Sequence, residues 1–227
     1  MAPTDTASRG AATREALIQA GLDVFGRAGY DAASSRALAH AAGVNQALIA
    51  YHFGGKHGLY LAVFEHVAQE FSGRIAPVAA ELTAELARSE GAPQPDGTRP
   101  VVAIERILGT LLEVLTQPHT ARWAQLIVRE QQQPTQAFDV LYSGVLGPML
   151  RILTRFVALA TDDDADSETT HLIALMLVGQ VLVFRVANAT VRRDLGWTDD
   201  IGADERARIK ARLRIHVNAI LGRRPAS

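Results

Sequence analysis

The side chains best suited to bind another molecule are concentrated in one stretch, residues 34–60, with the sequence SSRALAHAAGVNQALIAYHFGGKHGLY. This stretch brings together hydroxyl, guanidinium, amide, phenol, imidazole and ammonium groups. Such groups donate hydrogen bonds to phosphate oxygens, and arginine, asparagine and glutamine also match the base edges in the major groove of DNA. The chemistry that these residue types favour is therefore recognition of a nucleic acid.

The sequence offers no complete constellation for catalysis or metal binding. It contains no cysteine, which excludes disulfides and thiolate sites. His52 and His57 are five residues apart across two glycines, and His40 and His66 lack ligand spacing, which favours structural or phosphate-contact roles over a metal site. No G-x-S-x-G motif occurs, and the acidic run 162–164 lacks the glycine and distal glutamate of a calcium loop. We therefore expect no enzymatic activity, no cofactor and no metal.

The stretch 34–60 has the spacing of two short helices joined by a tight turn. Ala39, Gly43 and Ile49 supply a small residue at the crossing, a glycine in the turn and an apolar anchor on the second helix. Their offsets of four and six residues are those of a helix-turn-helix. With Ile49 directed inward, Ala47 and Tyr51 point outward. The spacing alone fits an ordinary helical hairpin equally well.

The residues around this spacing resemble the DNA-binding domain of TetR-family transcriptional repressors over about residues 12–66. The matching motifs are Phe25…Gly29-Tyr30, Ser34-Ser35-x-x-Leu38-Ala39, Ala42-Gly43-Val44 and Tyr51-His52-Phe53-x-x-Lys56-x-x-Leu59. The resemblance is specific because helix caps, turn, core and phosphate ligands recur in register. It implies a helix-turn-helix domain, residues 1–66, that binds double-stranded operator DNA.

The resemblance also implies a role for each matching position. It assigns phosphate contacts to Ser34, Ser35, Tyr51, His52 and Lys56, and base contacts to Arg36, Asn45, Gln46 and Ala47. The sequence departs from the family at Ala50, where an aromatic residue usually precedes Tyr51, so one phosphate contact is missing. This departure leaves an alternative open, namely a small-molecule-binding helical protein whose DNA-binding domain is inactive.

The rest of the chain shows helical periodicity, which predicts an all-α protein of about nine helices. We expect helices at about 13–29, 35–42, 45–52, from 56 onward, and at 101–116, 119–132, 134–160, 168–190 and 204–221. Residues 91–100 are predicted to be a linker, and Gly147-Pro148 should kink its helix. The 168–190 helix is apolar all round, which predicts that it is buried.

The second half of the chain, residues 67–227, resembles a TetR subgroup typified by the CecR regulator. The shared features are Arg129-Glu130 followed by Pro134-Thr135, the Gly147-Pro148 kink, Leu177-Val178-Gly179-Gln180 and Leu195-Gly196-Trp197. The resemblance implies that this half binds a small-molecule effector and forms a homodimer.

The effector pocket is expected between the 101–160 helices and the 168–190 helix, with a mainly apolar lining. The candidate lining residues are Trp123, Arg129, Tyr142, Gln180, Phe184 and Arg185. Aromatic residues at helical spacing also fit a plain core, and Gln180 could bind the ligand, a dimer partner or the backbone.

Composition limits the remaining classes of protein. The formal net charge is −1 and 48% of residues are hydrophobic, which excludes a disordered chain and confines any nucleic-acid surface to a local patch. No export leader opens the sequence, and the interrupted apolar stretch 172–187 is shorter than the ~20 residues that span a bilayer. We expect a cytoplasmic homodimer outside the membrane, acting as a ligand-responsive repressor.

Overall fold

The computed structural model describes residues 4–89 and 98–221, and every regular element in these ranges is helical. The α-helices are α1 (Thr4–Ala32), α2 (Ser35–Ala41), α3 (Ala47–Phe53), α4 (Lys56–Ser89), α5 (Thr98–Leu115), α6 (Ala121–Gln132), α7 (Gln136–Leu141), α8 (Gly147–Thr161), α9 (Glu168–Val186), α10 (Asn188–Leu195) and α11 (Ala203–Leu221). A π-helical turn, Tyr142–Leu146, joins α7 to α8 in one continuous helix. The all-α prediction is confirmed. With α7 and α8 counted as one continuous helix, the described ranges hold ten helices rather than about nine, because the predicted 168–190 helix is divided into α9 and α10.

Local signals in the sequence account for the ends of the first helices. The helical backbone of α1 breaks at Gly29, which has a φ of 80°, although α1 begins well before the expected start near Thr13. The Ser34 hydroxyl caps α2 by accepting a hydrogen bond from the Ala37 N–H at 3.1 Å. Gly54, with a φ of 72°, ends α3 in the left-handed conformation that glycine adopts readily.

Two expectations about irregular segments have different outcomes. Most of the predicted 91–100 linker lies outside the described residues, and its last three residues form the start of α5. Gly147-Pro148 was predicted to kink its helix, and the structure has a π-helical turn, Tyr142–Leu146, directly before these two residues. Because proline has no N–H, the carbonyl four residues earlier loses its α-helical donor, and a change of hydrogen-bond register accommodates that loss.

The chain divides into two compact units that do not follow the sequence order. The N-terminal unit contains Met1–Glu70 and Ala121–Val145, and the C-terminal unit contains Phe71–Thr120 and Leu146–Ser227. The N-terminal unit therefore includes α6 and α7 besides the first helices. The predicted division into domains 1–66 and 67–227 is a functional one, and it differs from the compact units chiefly in residues 121–145.

The N-terminal unit has a single apolar core around α1. Phe25 and Leu17 on α1 are fully buried, as are Val63 and Phe64 on α4. From the other side, α6 packs along α1 and buries Trp123 and Leu126. Deep burial on both faces holds α1 between α4 and α6.

In the C-terminal unit, α5 packs against α8, α9 and α11. Leu108 and Leu112 of α5, Leu153 and Val157 of α8, and Leu177 and Val181 of α9 are fully buried in its core.

The prediction that the 168–190 helix is buried is wrong for one face of α9. Leu175 and Met176 are 51% and 65% exposed, and Leu172, Leu182, Val183 and Val186 are also exposed. Ile215 and Ile220 are exposed apolar side chains on α11. We call these eight residues the outer apolar face. An all-round apolar pattern shows that both sides of a helix avoid water, but it does not show whether the same chain covers them.

By length and composition alone, the continuous helix Gln136–Thr161 and α9 could each span a bilayer. Core helices of globular proteins also meet that criterion, so meeting it does not identify a membrane segment.

Candidate nucleic-acid interface

The inner side of the helix-turn-helix is packed as the spacing predicts. Leu38 and Ala39 of α2 and Ile49 of α3 are buried. Gly43 lies in the turn with a φ of 66°, which an L side chain rarely adopts. The residues on the other side of α3 are therefore presented outward by a fixed core.

The outer side carries most of the predicted contact residues. Tyr51 is 80% exposed, and its ring meets the His52 ring edge to face with centroids 4.9 Å apart. The remaining exposed positions are Ser34, Arg36, Asn45, Gln46, Ala47 and Ala50, whereas Ser35, His52 and Lys56 are half-buried. Every residue predicted for DNA contact thus retains accessible surface.

Asn45 and Gln46 differ in their local contacts. The Asn45 Oδ1 accepts a hydrogen bond from the Ala47 N–H at 2.9 Å, at the start of α3. Gln46 makes no such side-chain bond to the helix. The amide of Gln46 can therefore present both donor and acceptor to a base, whereas the Asn45 carbonyl is already engaged.

Lys56 has a structural contact that the sequence analysis missed. Its Nζ donates a hydrogen bond to the Tyr30 carbonyl at 3.0 Å and lies 4.3 Å from the centre of the Tyr30 ring. An ammonium has three donors, so phosphate binding remains compatible with this contact. The side chain also fixes the start of α4 to the residue after Gly29.

The end of α3 is seated closely on the first turn of α4. A Cβ atom at Gly58 would lie 1.8 Å from the Phe53 carbonyl oxygen, so only glycine fits there. The Arg14 guanidinium of α1 lies over the Phe53 ring, 5.3 Å from its centre. The last residue of α3 is thereby held from α1 and from α4.

Behind these helices lies a buried carboxylate. Glu130 of α6 is 3% exposed, and its Oε1 accepts a hydrogen bond from the Tyr60 hydroxyl at 2.7 Å. Its Oε2 accepts from the N–H and the hydroxyl of Thr135, both at 2.9 Å. Burial and then the hydrogen bond to Glu130 raise the pKa of Tyr60 above its ordinary value, so the phenol stays protonated. No pattern in the sequence indicated a role for Tyr60 or Glu130.

An aromatic cluster surrounds this carboxylate. The Tyr60 ring centre lies 4.9 Å from those of Phe25 and Tyr30 and 5.0 Å from that of Phe64. Arg129, next to Glu130, donates from Nη2 to the Arg27 carbonyl at 3.3 Å and abuts Gly29. The two neighbouring residues of α6 therefore contact the end of α1 and the first part of α4.

The six residues predicted for the effector pocket fall in different units. Trp123, Arg129 and Tyr142 belong to the N-terminal unit, where Trp123 is buried and Tyr142 is exposed beside Phe138. Gln180, Phe184 and Arg185 belong to the C-terminal unit. The structure provides no single compact unit that contains all six.

Within the C-terminal unit, two of these residues have informative surroundings. The Gln180 Oε1 lies 3.2 Å from the His216 Nδ1, which connects α9 to α11. The Arg185 Nη2 is buried and has no hydrogen-bond partner within the described part of the chain. Desolvation lowers the pKa of Arg185, and the negative charge of Asp200 opposes that effect. Arg185 is half-buried, and its Nη2 is thus a donor that lacks an acceptor among the described residues.

Two surface cavities have other linings. A groove of about 400 Å³ between α5 and α11 is lined by Val102, Glu105, Arg106, Gly109, Thr110, Lys210, Leu213 and Arg214. A smaller cavity of about 220 Å³ lies between α1 and α6 and includes Asp23 and Arg122, which form an ion pair at 3.2 Å. Neither cavity contains a residue predicted for the effector.

Comparison with known proteins places the sequence in a family. The family model "Bacterial regulatory proteins, tetR family" matches residues 17–63, and that of the CecR C-terminal domain matches residues 100–223. The chain is also 34% identical over 190 residues to the transcriptional dual regulator CecR of Shigella flexneri, covering 84% of this chain and 83% of that one. The chain belongs to the TetR family. Both resemblances found in the sequence, to TetR regulators and to the CecR subgroup, are confirmed.

Further relatives agree with this membership. The regulatory protein RaaS of Mycobacterium tuberculosis is 46% identical over 54 residues, which are 24% of this chain and 25% of RaaS. A TetR-like regulator from Rhodococcus has a TM-score of 0.55 at 19% identity and covers 93% of this chain and 97% of its own. The fatty acid degradation regulator FadR of Bacillus halodurans has a TM-score of 0.57 at 17% identity, with 92% and 95% covered. The two structures show that the fold is shared.

Membership in the TetR family makes this chain a DNA-binding transcriptional regulator with a ligand-binding C-terminal domain. Regulators of this family bind operator DNA and act as dimers. The helix-turn-helix described above is thus the expected DNA-binding element.

Proposed function

We propose that this TetR-family protein is a cytoplasmic repressor that binds a palindromic operator as a homodimer and is released by a small-molecule effector. The observation that carries the proposal is the outer side of α3. Gln46, Ala47 and Tyr51 are exposed there, while Ile49 anchors the helix from within. An exposed helix of this kind fits the major groove, where side chains reach the base edges.

The proposed contacts divide into two sets. Phosphates are bound by Ser34, Ser35, Tyr51, His52 and Lys56, and bases are read by Arg36, Asn45, Gln46 and Ala47. Among the second set, Gln46 is the principal reader of hydrogen-bonding edges, because the Asn45 carbonyl already caps α3. The Ala47 methyl suits the methyl group of thymine.

The outer apolar face supports the homodimer. Exposed leucine, valine, isoleucine and methionine side chains on α9 and α11 would be covered by the same face of a second copy. A two-fold dimer presents two recognition helices to half-sites about one DNA turn, ~34 Å, or a multiple of it apart. Two half-sites also supply more sequence information than one short helix can read.

The effector in this proposal is a mainly apolar small molecule bound in the helical body. The candidate residues remain Trp123, Arg129, Tyr142, Gln180, Phe184 and Arg185. Arg185 is the best placed among them, because the buried Nη2 of its guanidinium lacks an acceptor among the described residues. Arg129 and Gln180 already contact other residues. The proposal includes no enzymatic activity, cofactor or metal.

Ala50 favours one alternative, a ligand-binding protein whose DNA-binding domain is inactive. Ala50 is exposed and provides no phenol or ring for a phosphate contact. Selection from a pool of random duplexes with the full chain separates the two functions. We expect an enriched inverted repeat whose binding weakens as salt rises. Enrichment of no sequence would contradict the proposal and support the alternative.

The variant Ile49→Asp provides the control for this selection. It places a charge in the core of the helix-turn-helix and should abolish enrichment. Retention of the same enriched repeat by this variant would show that binding occurs elsewhere on the chain.

A further inference from the structure

Glu130, which belongs to a motif of the CecR-like half, has a place in the fold that operator or effector contact does not explain. Glu130 is buried near the carboxyl end of α6, where the helix dipole disfavours a negative charge. Burial of a carboxylate is also costly unless donors surround it. The three donors come from Tyr60 and Thr135, so the cost is offset by groups of two other segments.

These donors tie three helices of the N-terminal unit together. Tyr60 belongs to α4, Glu130 to α6, and the Thr135 hydroxyl caps α7 by accepting from the Ala137 N–H at 3.2 Å. Arg129 adds the end of α1 through the Arg27 carbonyl. We call Tyr60, Arg129, Glu130 and Thr135 the carboxylate clamp.

Tyr60 of the carboxylate clamp lies on the same turn of α4 as the residue on which the end of α3 rests. Phe53, the last residue of α3, rests against Gly58, two residues before Tyr60. Lys56, four residues before Tyr60, is bound to the Tyr30 carbonyl, and the rings of Tyr30 and Tyr60 are packed together. A shift of Tyr60 would therefore displace both the Gly58 contact with Phe53 and the Lys56 bond to Tyr30. These two contacts position α3.

We propose that Glu130 and its clamp partners are positioning residues for DNA recognition, which hold α1 and α4 in the arrangement that aims α3 at the operator. This inference rests on the proposed function, since it concerns the same DNA site. The residues of the clamp touch no base or phosphate. They act by keeping the first turn of α4 in place when the protein reads DNA.

The test compares full-length wild type with Tyr60→Phe and Glu130→Gln. The probes are the duplex that wild type selects from a random pool and a scrambled duplex of equal length. We expect both variants to bind the selected duplex about tenfold more weakly, the change that the loss of one hydrogen bond to a buried carboxylate can produce. Binding to the scrambled duplex should be unchanged, because it depends on charge rather than on the aim of α3.

The matched control is Arg122→Gln. This variant removes the Arg122–Asp23 ion pair, which also joins α1 to α6 but is partly exposed. Binding to both duplexes should stay at the wild-type level. Because Tyr60→Phe keeps the ring packing, it serves as the deciding variant if Glu130→Gln does not fold.

The outcomes are separable. A lower melting temperature for Tyr60→Phe with unchanged affinity for the selected duplex would mean a purely structural role and overturn the inference. Losses that add in the double variant Tyr60→Phe/Glu130→Gln would also overturn it, because partners in one bond should not lose twice. If wild type itself selects no duplex, the proposed function fails and this inference fails with it.

Discussion

At the residue scale, Asn45 and Gln46 carry the same amide on neighbouring positions and make different local contacts. Asn45 completes the start of α3 through its carbonyl, and Gln46 leaves its amide toward solvent. The sequence indicated that both side-chain amides could contact a base, because the residue type and its position in the helix-turn-helix can be taken directly from the sequence. It could not show which amide is already used, since that depends on the rotamer in the folded turn.

Replacement of Gln46 by alanine should change sequence preference more than stability. We expect a loss of ~1–3 kcal/mol at particular operator positions and wild-type binding to non-specific duplexes. Asn45→Ala, the comparison variant, should lower the free energy of unfolding by about 1 kcal/mol through the lost cap. Binding to a panel of singly substituted duplexes, with urea denaturation, measures both effects. Uniform weakening by Gln46→Ala would contradict its assignment as a base reader.

The buried phenol of Tyr60 should make the fold sensitive to alkali. Its pKa is raised in the folded protein by burial and by Glu130, whereas an unfolded tyrosine ionises near pH ~10. Ionisation of Tyr60 then favours the unfolded chain. The contribution of the protonated phenol to the free energy of unfolding is therefore complete below about pH 10 and is lost as the pH rises toward the folded-state pKa.

Urea denaturation between about pH 9 and pH 11 tests this sensitivity. The free energy of unfolding should fall more steeply with pH for wild type than for Tyr60→Phe. Parallel slopes for the two proteins would contradict the protonated, buried state of this phenol.

At the scale of helices, the local sequence explains the features that depend on neighbouring residues. The Ser34 cap, the turn at Gly43 and the end of α3 at Gly54 each follow from local backbone chemistry. The carboxylate clamp joins residue 60 to residue 130, and no local pattern pairs positions so distant in sequence. The requirement for glycine at Gly58 could not be predicted from the sequence either, because it arises from the close approach of the Phe53 carbonyl in the folded protein.

Alanine at Gly58 should disrupt the junction of α3 and α4. The added Cβ would meet the Phe53 carbonyl oxygen at 1.8 Å, so the backbone must move. We expect a destabilisation of about 1–3 kcal/mol and loss of operator binding. Gly73→Ala is the control on the same helix, where a Cβ meets no atom within 4 Å. It should stabilise the protein by about 0.5–1 kcal/mol. Thermal unfolding and duplex binding of both variants test this explanation. Equal stability and equal operator affinity of Gly58→Ala and Gly73→Ala would refute it.

At the scale of the whole molecule, the outer apolar face is a surface that a single chain leaves exposed to solvent. Periodicity correctly predicted that α9 is apolar, but it wrongly predicted that the outer side of α9 is buried. The reason is that a protein core and a subunit interface select the same residue types. The inner residues Leu177 and Val181 are buried within one chain, whereas Leu175 and Met176 are not.

A charge on the outer apolar face should separate the dimer. Leu175→Asp would bury an unpaired carboxylate between two copies, which is strongly unfavourable. Sedimentation equilibrium should show a monomer for this variant and a dimer for wild type. Val102→Asp, at an equally exposed residue on α5, should remain dimeric. A dimeric Leu175→Asp protein would place the subunit interface elsewhere.

The interleaving of the two compact units has a consequence for how such regulators can be recombined. The chain passes from one unit to the other after residues 70, 120 and 145, so no single cut separates them. A chimera that grafts residues 1–66 onto another body leaves α6 and α7 behind, and with them the partners of Tyr60 and of the end of α1. Exchange of operator specificity between regulators of this design should therefore succeed when the donor segment 121–145 travels with the helix-turn-helix.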